Sequence, residues 1–404
     1  MKAYWKKLAS AVLALALCIG SMAVGVSAAK VGDYSNEEEQ DFLDFFQFDY
    51  SRCPHEKMSD EWVVKEYPNG ETPGAYVRMC EVCGTPGESL VIPALKISAA
   101  SLVLTDSLAI NYKVKKSLLA EGSYTDPYIV FEMAGEAVTV RAYEDVGENL
   151  VFAFEDIAPH LMNETVTATL YATCYGKVCA GQAQDYSVET YCYNTLSKYA
   201  SDEYAKLRTL LVDLLNYGAA SQRYTGRATE DLVNNRLTAE QSAWGTQSDR
   251  ALNTVQDTGY IVRENASVTF KSVGLFLQES AAIRFKIDAT NVDGMYAKVV
   301  NAHGVYTIPA SQFTQTDGGH YIYFDRLTAA QMSDANYITI YNESGAISNT
   351  FSYSVESYAY SMQKKSDKEL LLNLISAMMR YGDAAKAYVG GGAEAPGENW
   401  TGSY

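Results

Sequence analysis

The sequence predicts a mainly β protein with added helix, of α+β class. It has a zinc-ribbon-like module followed by two tandem β-sandwich-like repeats, each ending in an amphipathic helix. Three observations carry this: a Cys/His donor set near the front, an internal repeat over most of the remaining chain, and apolar spacing that changes from period 2 to a helical period at the same place in each copy. A length of 404 residues exceeds one ordinary core, so more than one domain is expected. An apolar fraction of 48% suffices for folded domains, while 20% charged residues and 31 tyrosines favour β-rich exported domains.

The repeat is read from ordered matches. Residues Ser101 to Val114 align without a gap on Gly274 to Ile287, 173 positions later. Phe154, Glu155, Met162, Glu164 and Tyr171 match Phe324, Asp325, Met332, Asp334 and Tyr341 at an offset of 170. Tyr186 to Tyr191 then match Tyr353 to Tyr358 at 167, and Tyr217-Gly218 with Tyr224 match Tyr381-Gly382 with Tyr388 at 164. Offsets that change only between matched blocks are what loop-length differences around a retained framework produce.

Within each copy Leu108, Ile110, Tyr112 and Val114, and likewise Ala281, Ile283, Phe285 and Ile287, lie on one face of a strand. The closing segments are helical: Leu207, Leu210, Leu211, Leu214 and Leu215 share one face in the first copy, and Leu370, Leu371, Leu374, Ile375, Met378 and Met379 do so in the second. Ser366 and Glu369 have capping-box spacing, and Gly226 and Gly390 suit helix ends. Gly218 and Gly382 fall inside the helical pattern, where glycine costs about 1 kcal/mol against alanine. Close approach of the backbone to the sheet is the expected compensation, with each terminal helix packed on its own sheet.

The expected organisation is a signal peptide over 1–28, an acidic leader over 29–50, the Cys/His module over 51–95 and repeat A over 96–226. A linker with short helical pieces over 227–261, repeat B over 262–390 and a flexible tail over 391–404 complete it. Lys2, Lys6 and Lys7 precede an uncharged run that closes on Val26-Ser27-Ala28, the layout of a cleaved export signal; an uncleaved membrane anchor is the alternative, against which Gly20, Ser21, Gly25 and Ser27 argue. Cys18 follows Leu17, a poor context for lipid attachment, and no later segment is apolar enough to span a bilayer. Removing residues 1–28 takes away three lysines and no acid, which moves the net charge from −17 to −20. Such a polyanion is repelled by nucleic acid and anionic lipid. The expectation is a secreted or cell-surface protein without nucleic-acid partners and without membrane insertion after cleavage.

Cys53-Pro54-His55 and Cys80-Glu81-Val82-Cys83-Gly84 offer three thiolates and one imidazole. Between them Glu61 to Tyr67 and Ala75 to Met79 can pair around Pro68-Asn69-Gly70, which returns the second pair of cysteines to the first. Cys53, His55, Cys80 and Cys83 therefore form a closed N/S set suited to structural Zn²⁺. A disulfide with a leftover thiol and a redox pair at Cys80 and Cys83 are the alternatives. Cys174 and Cys179 flank a hairpin turn and form a candidate cross-strand disulfide against free buried thiols; Cys192 has no assignable partner.

The CxxCG knuckle Cys80 to Gly84, the helix ending Leu214 to Gln222 with its Tyr-Gly-Ala-Ala core, and its echo Arg380 to Ala385 resemble exported multi-module proteins of anaerobic Gram-positive gut bacteria. The resemblance spans most of residues 51–390. It implies export and modular architecture, and transfers no catalytic residue.

His55-Glu56 opens like a zinc-protease helix, but Ser59 stands where the second histidine is needed. Nucleophile-elbow, phosphate-loop and dinucleotide motifs are missing from the sequence. Glu155/Asp325 and Glu164/Asp334 recur in both copies, and paired carboxylates can serve glycoside hydrolysis. Acids repeated in a duplicated fold are more often turn or cap residues. His160, His303 and His320 do not recur. Tyr321 to Phe324 and Tyr353 to Tyr360 are candidate stacking platforms, against the ordinary role of tyrosine on half-buried strands. The expected function is non-catalytic binding or adhesion outside the cell, to a glycan or an extracellular protein. A polysaccharide hydrolase or its accessory subunit and an architectural spacer are the alternatives, and the oligomeric state is left open.

Overall fold

The computed structural model describes residues 53–104, 108–155, 157–254, 261–277 and 282–390. The expected signal peptide, the leader and the tail lie outside them. Two compact units result, one of residues 53–62 together with Arg78–Glu88, the other of Val63–Val77 and the described residues from Ser89 on.

β1 (Met58–Glu66), β2 (Gly74–Cys80) and β3 (Pro86–Ile92) form a three-stranded sheet in that order. The outer half of the β1–β2 hairpin belongs to the larger unit, so the sequence-based module of 51–95 is divided. Within that unit the Gly70 N–H donates to Ala180 O at 2.9 Å, Tyr76 stacks on Tyr175 with ring centroids 4.7 Å apart, and the Lys177 ammonium lies 4.5 Å from the Tyr67 ring centroid. These contacts seat the hairpin tip on the first repeat.

Repeat A contains β4 (Ala99–Val103), β5 (Ala109–Lys115), helix α1 (Lys116–Glu121), β6 (Tyr124–Met133), β7 (Glu136–Val140), β8 (Glu144–Val146), β9 (Asn149–Phe154), β10 (Val166–Cys174), β11 (Lys177–Ala180) and β12 (Gln184–Tyr186). One sheet runs β4-β5-β9-β8 and the other β11-β10-β6-β7, with β12 also on β10. Repeat B contains β13 (Phe270–Phe276), β14 (Ala282–Ile287), β15 (Tyr296–Asn301), β16 (Gly304–Pro309), β17 (Thr314–Thr316), β18 (Gly319–Phe324), β19 (Asn336–Asn342), β20 (Gly345–Ala346) and β21 (Phe351–Tyr353). Its sheets run β13-β14-β18-β17 and β16-β15-β19-β20, with β21 on β19. Counted within each repeat, the strand orders are identical, and register is retained too: Leu102 faces Ile110 as Leu275 faces Ile283. All these pairings are antiparallel.

Period-2 alternation becomes packing directly. Ile110, Tyr112 and Val114 are fully buried on β5, and Ile283, Phe285 and Ile287 on β14. Tyr112 differs from its counterpart Phe285 by one hydroxyl, and that hydroxyl is buried without a hydrogen-bond partner. An unsatisfied buried polar group costs about 1–3 kcal/mol. Tyr112→Phe is therefore expected to stabilise repeat A, raising its melting temperature by a few degrees; an unchanged or lower melting temperature would contradict this account.

After the strands each repeat closes with two helices, α2 (Val188–Lys198) and α3 (Ala205–Thr225) in A, α5 (Val355–Lys365) and α6 (Glu369–Val389) in B, while α4 (Ala239–Ala243) lies in the linker. Ser187 and Ser354 cap α2 and α5 by accepting from the backbone N–H groups of Thr190 and Ser357. The expected Ser366/Glu369 box does not form. Ser366 ends α5, and its hydroxyl accepts from Lys368 N–H. Gly226 takes the left-handed cap conformation at φ 69°, whereas Gly390 stays at φ −73°.

The terminal helices pack on one another and on a 3-10 turn of their own repeat, not flat on their own sheets. A Cβ on Gly218 would meet Met162 Sδ at 2.9 Å and Pro159 O at 3.1 Å; one on Gly382 would meet Met332 Sδ at 2.8 Å and Ala329 O at 3.1 Å. The glycines thus admit a turn and its methionine where close approach to the sheet was expected. Tyr217 and Tyr381, equivalent in the two copies, stack with centroids 5.7 Å apart and planes 15° apart. Equivalent residues meeting one another is the signature of a twofold-type interface.

The linker is a strap fastened to both terminal helices. Thr238 and Gln241 make a capping box for α4. Thr246 then donates from its N–H and hydroxyl to the fully buried Asp213 of α3, at 2.9 and 2.6 Å. Asp249 accepts from Ser376 and from Arg380 Nε of α6 at 2.6 Å each. Arg250 forks onto Asp383 at 2.7 and 3.0 Å and also pairs with Glu356. Among the described residues no helix is long and apolar enough to cross a membrane.

Candidate metal centre

Cys53 and His55 precede β1, while Cys80 ends β2 and Cys83 follows in the turn to β3. The turn closes because Gly84 N–H donates to Cys80 O and Cys80 N–H donates to Thr85 O, both at 2.9 Å. Gly84 supplies the required left-handed conformation at φ 68°. Glu81 N–H donates to Lys57 O at 2.9 Å and ties the turn to the first pair of donors. Arg78 reinforces the unit, donating to Ser59 O at 2.7 Å and to Glu88 at 3.1 Å.

The donor atoms of Cys53, His55, Cys80 and Cys83 all lie within 4.8 Å of one another. Cys53 Sγ is 3.6 Å from Cys80 Sγ, and Cys83 Sγ is 3.5 Å from His55 Nδ1. Tetrahedral bonds of about 2.0–2.3 Å place neighbouring donors roughly 3.5–3.8 Å apart, so the separations suit one four-coordinate ion. They are far beyond a sulfur–sulfur bond of about 2.05 Å, and all three cysteines are free. The site can hold a metal ion.

Its electrostatics are uneven. The Thr85 hydroxyl, 3.0 Å from Cys83 Sγ, is the main cause that lowers the Cys83 thiol to about 6. Cys53 accepts a hydrogen bond from the His55 backbone, which lowers it, yet desolvation and the neighbouring thiols leave it raised. Thr85 was not singled out from sequence, because a hydroxyl two residues past a cysteine has no spacing signature.

Of the two alternatives at Cys174 and Cys179, the structure shows free buried thiols. Tyr175 and Gly176 form the two-residue turn, both at positive φ, so β10 and β11 pair Cys174 with Lys177 and Ala172 with Cys179. Cys174 and Cys179 are diagonal neighbours, and both are free and buried. Cys174 donates to Gly122 O, and burial pushes its thiol up to about 11; a protonated buried thiol exchanges poorly. Cys192 is fully buried and free.

Glu164 and Asp334 follow the 3-10 turns, their N–H groups donating to Leu161 O and Gln331 O, which is the turn role expected of repeated acids. Asp334 also meets His303 Nε2 at 2.9 Å. His160 and His320 are buried, the latter's Nδ1 lying 2.8 Å from Ala289 O. Glu155 and Asp325 occupy equivalent positions in a concavity at one edge of each repeat.

Tyrosines mark the outer faces. Tyr128 pairs with Tyr171 across β6 and β10 and stacks on it at 5.2 Å; Tyr296 pairs with Tyr341 across β15 and β19 at 5.4 Å. Their neighbours Ile129, Leu170, Ala297 and Ile340 are fully buried, so the stacked pairs face outward. Arg141 lies 4.1 Å from the Tyr128 ring centroid and Lys298 5.1 Å from that of Tyr341. On the other sheet of repeat B, Tyr321 carries Arg284 at 4.6 Å. Tyr353 and Tyr358 are largely packed inward, and burial pushes both hydroxyls up. Tyr171 and Tyr341 matched in sequence; their partners did not, because β6 and β15 align at a different offset.

No protein-family model and no curated protein matches the chain. Among solved structures it is similar to a chimeric titin Z1Z2-Z1Z2 tandem (9% identity, 63% of this chain and 96% of that one, TM-score 0.15). It is also similar to a type I pullulanase from Bacillus subtilis complexed with maltose (8%, 64% and 25%, TM-score 0.14) and to the chicken CNTN1 FN1–FN3 domains (10%, 70% and 77%, TM-score 0.15). The matched part of the chain spans only a quarter of the pullulanase.

Proposed function

We propose that this is a secreted or cell-surface binding protein. The two β-sandwich-like repeats are its working modules, and the Cys/His unit is a structural zinc module. The observation that carries the reading is the outward tyrosine stack at the same position in both repeats, each with a cation over a ring. Such a stack places apolar ring surface, phenol hydroxyls and positive charge together, the groups that recognise sugars and polar protein surfaces. The Tyr217/Tyr381 contact and the strap hold the repeats as a pair, so one molecule carries both stacks. Zinc follows from the closed three-thiolate, one-imidazole set. Export follows from the amino-terminal charge and apolar pattern.

A glycan and extracellular-protein array probed with the mature protein tests the reading. Retention is expected, and Tyr128→Ala together with Tyr171→Ala should weaken it by roughly 100-fold on a dense surface, since two linked sites multiply affinity. Turnover of a polysaccharide that disappears on replacing Glu155 or Asp325 would overturn the reading in favour of a hydrolase. No retention on any surface would overturn the tyrosine stacks as the binding groups and, where the protein binds no other ligand, leave a spacer.

A further inference from the structure

Both repeats carry a concavity at the same place, between the edge strand β7 or β16 and the end of β9 or β18, but the two differ in size and charge. In repeat B it measures about 310 Å³. Tyr306 narrows it, and Arg326, next to Asp325, places its guanidinium 5.9 Å from the Tyr306 ring centroid. That concavity contains its own cation. In repeat A the space is about 930 Å³, with Val138 at the position of Tyr306. Three carboxylates line it, Glu136, Glu144 and Glu155, and among the described residues none of them is in an ion pair. Val138 and Tyr143 beside them are 49% and 47% exposed. β7 ends its sheet, so among the described residues its outer backbone groups have no strand partner.

We infer that this groove of repeat A is a docking site for an extended, lysine- or arginine-bearing polypeptide segment that adds as a strand to β7. The inference rests on the binding reading above and deepens it by naming a protein ligand for one repeat. An edge strand supplies main-chain hydrogen bonds, and alternate side chains of the added strand reach the groove wall. Three carboxylates without cations, where repeat B supplies Arg326, set the charge of those side chains.

The test uses the mature full-length protein and fluorescent eight-residue peptides: alternating Lys/Val, alternating Glu/Val, and a Lys/Val version methylated on alternate backbone nitrogens. Anisotropy should show saturable binding of the first peptide only, weakened by added salt. The triple variant Glu136→Gln/Glu144→Gln/Glu155→Gln should bind it about tenfold more weakly, as expected for three exposed ion pairs. Its melting temperature should not change, because all three side chains are exposed. Equal binding of the Glu/Val or methylated peptide, unchanged affinity in the triple variant, or no saturable binding overturns the inference. Retention on the array by a protein that ignores the Lys/Val peptide overturns the groove and leaves the binding function standing. Carboxylate-dependent peptide binding without array retention supports the groove and overturns only the tyrosine reading.

Discussion

Replacing Cys80 by serine is expected to abolish binding of one zinc ion per chain and to unfold the small unit while both repeats stay folded. Cys80 is 1% exposed, and its sulfur lies 3.6 Å from that of Cys53. Its loss opens the tetrahedron and leaves a buried hydroxyl beside a buried thiol. The described residues 53–62 with Arg78–Glu88 form their own compact unit, in which the buried apolar side chains are Cys53 and Cys80. Structural zinc contributes on the order of 10 kcal/mol to units of this kind. Metal analysis should find about one equivalent in the natural protein and none in Cys80→Ser, with amide exchange accelerating only in the small unit. Metal release should also follow acid. Cys83, lowered to about 6 mainly by Thr85, keeps its thiolate down to that pH, and below it protons compete at every sulfur. A zinc-free full-length protein that remains ordered over the small unit would show the metal reading to be wrong.

Arg250→Ala is expected to cost about 3 kcal/mol of stability in the paired repeats. Arg250 forks onto Asp383 and pairs with Glu356, which is 8% exposed, so truncation strands a buried carboxylate beside a second one. Burial alone would push Glu356 up. Hydrogen bonds from Arg250, the Asn253 N–H and Ser333 outweigh it, and Glu356 lies below its ordinary value of 4.5. A carboxylate with a depressed folded pKa stabilises fully above its unfolded pKa and loses that contribution as pH falls through the folded value. The natural protein should therefore lose this contribution only below about pH 4.5, whereas Arg250→Ala should already melt early at neutral pH. Arg250→Lys should recover part of the loss, since an ammonium cannot reproduce the planar fork. Glu189 holds the same position in repeat A, with Arg236 3.8 Å away, and there burial leads and the carboxyl is raised. Thermal melts at pH 7 and pH 4 measure both effects; an Arg250→Ala protein that melts like the natural one at pH 7 would refute the assignment.

The duplication of a β-rich domain, the terminal helix of each repeat and the metal donor set were legible in the sequence, whereas the shorter helices α2 and α5 before them were not. Each is written in short-range pattern: alternation on β5 and β14, one apolar face on α3 and α6, and two cysteine-bearing segments brought together by one hairpin. Where repeated blocks matched, the fold repeated, down to the Met162 and Met332 that fill the notches beside Gly218 and Gly382. Only the tertiary structure decided how the terminal helices meet, because Tyr217 and Tyr381 can stack only after both repeats exist. It also decided that the linker is a strap, since Arg250 reaches Asp383 across 133 positions and no local period encodes that pair. At Cys174 and Cys179 the sequence left a disulfide and free thiols open, because cross-strand partnership depends on the residues that occupy the turn; Tyr175-Gly176 places Lys177, not Cys179, opposite Cys174, and both thiols are free. The sequence by itself determined which segments alternate, which coil and which donors converge, because those properties arise between near neighbours along the chain. Pairing of the repeats, the charge of the repeat A groove and the state of Cys174, Cys179 and Cys192 were decided only in three dimensions, where register and long-range ion pairs choose among arrangements that the same local pattern allows.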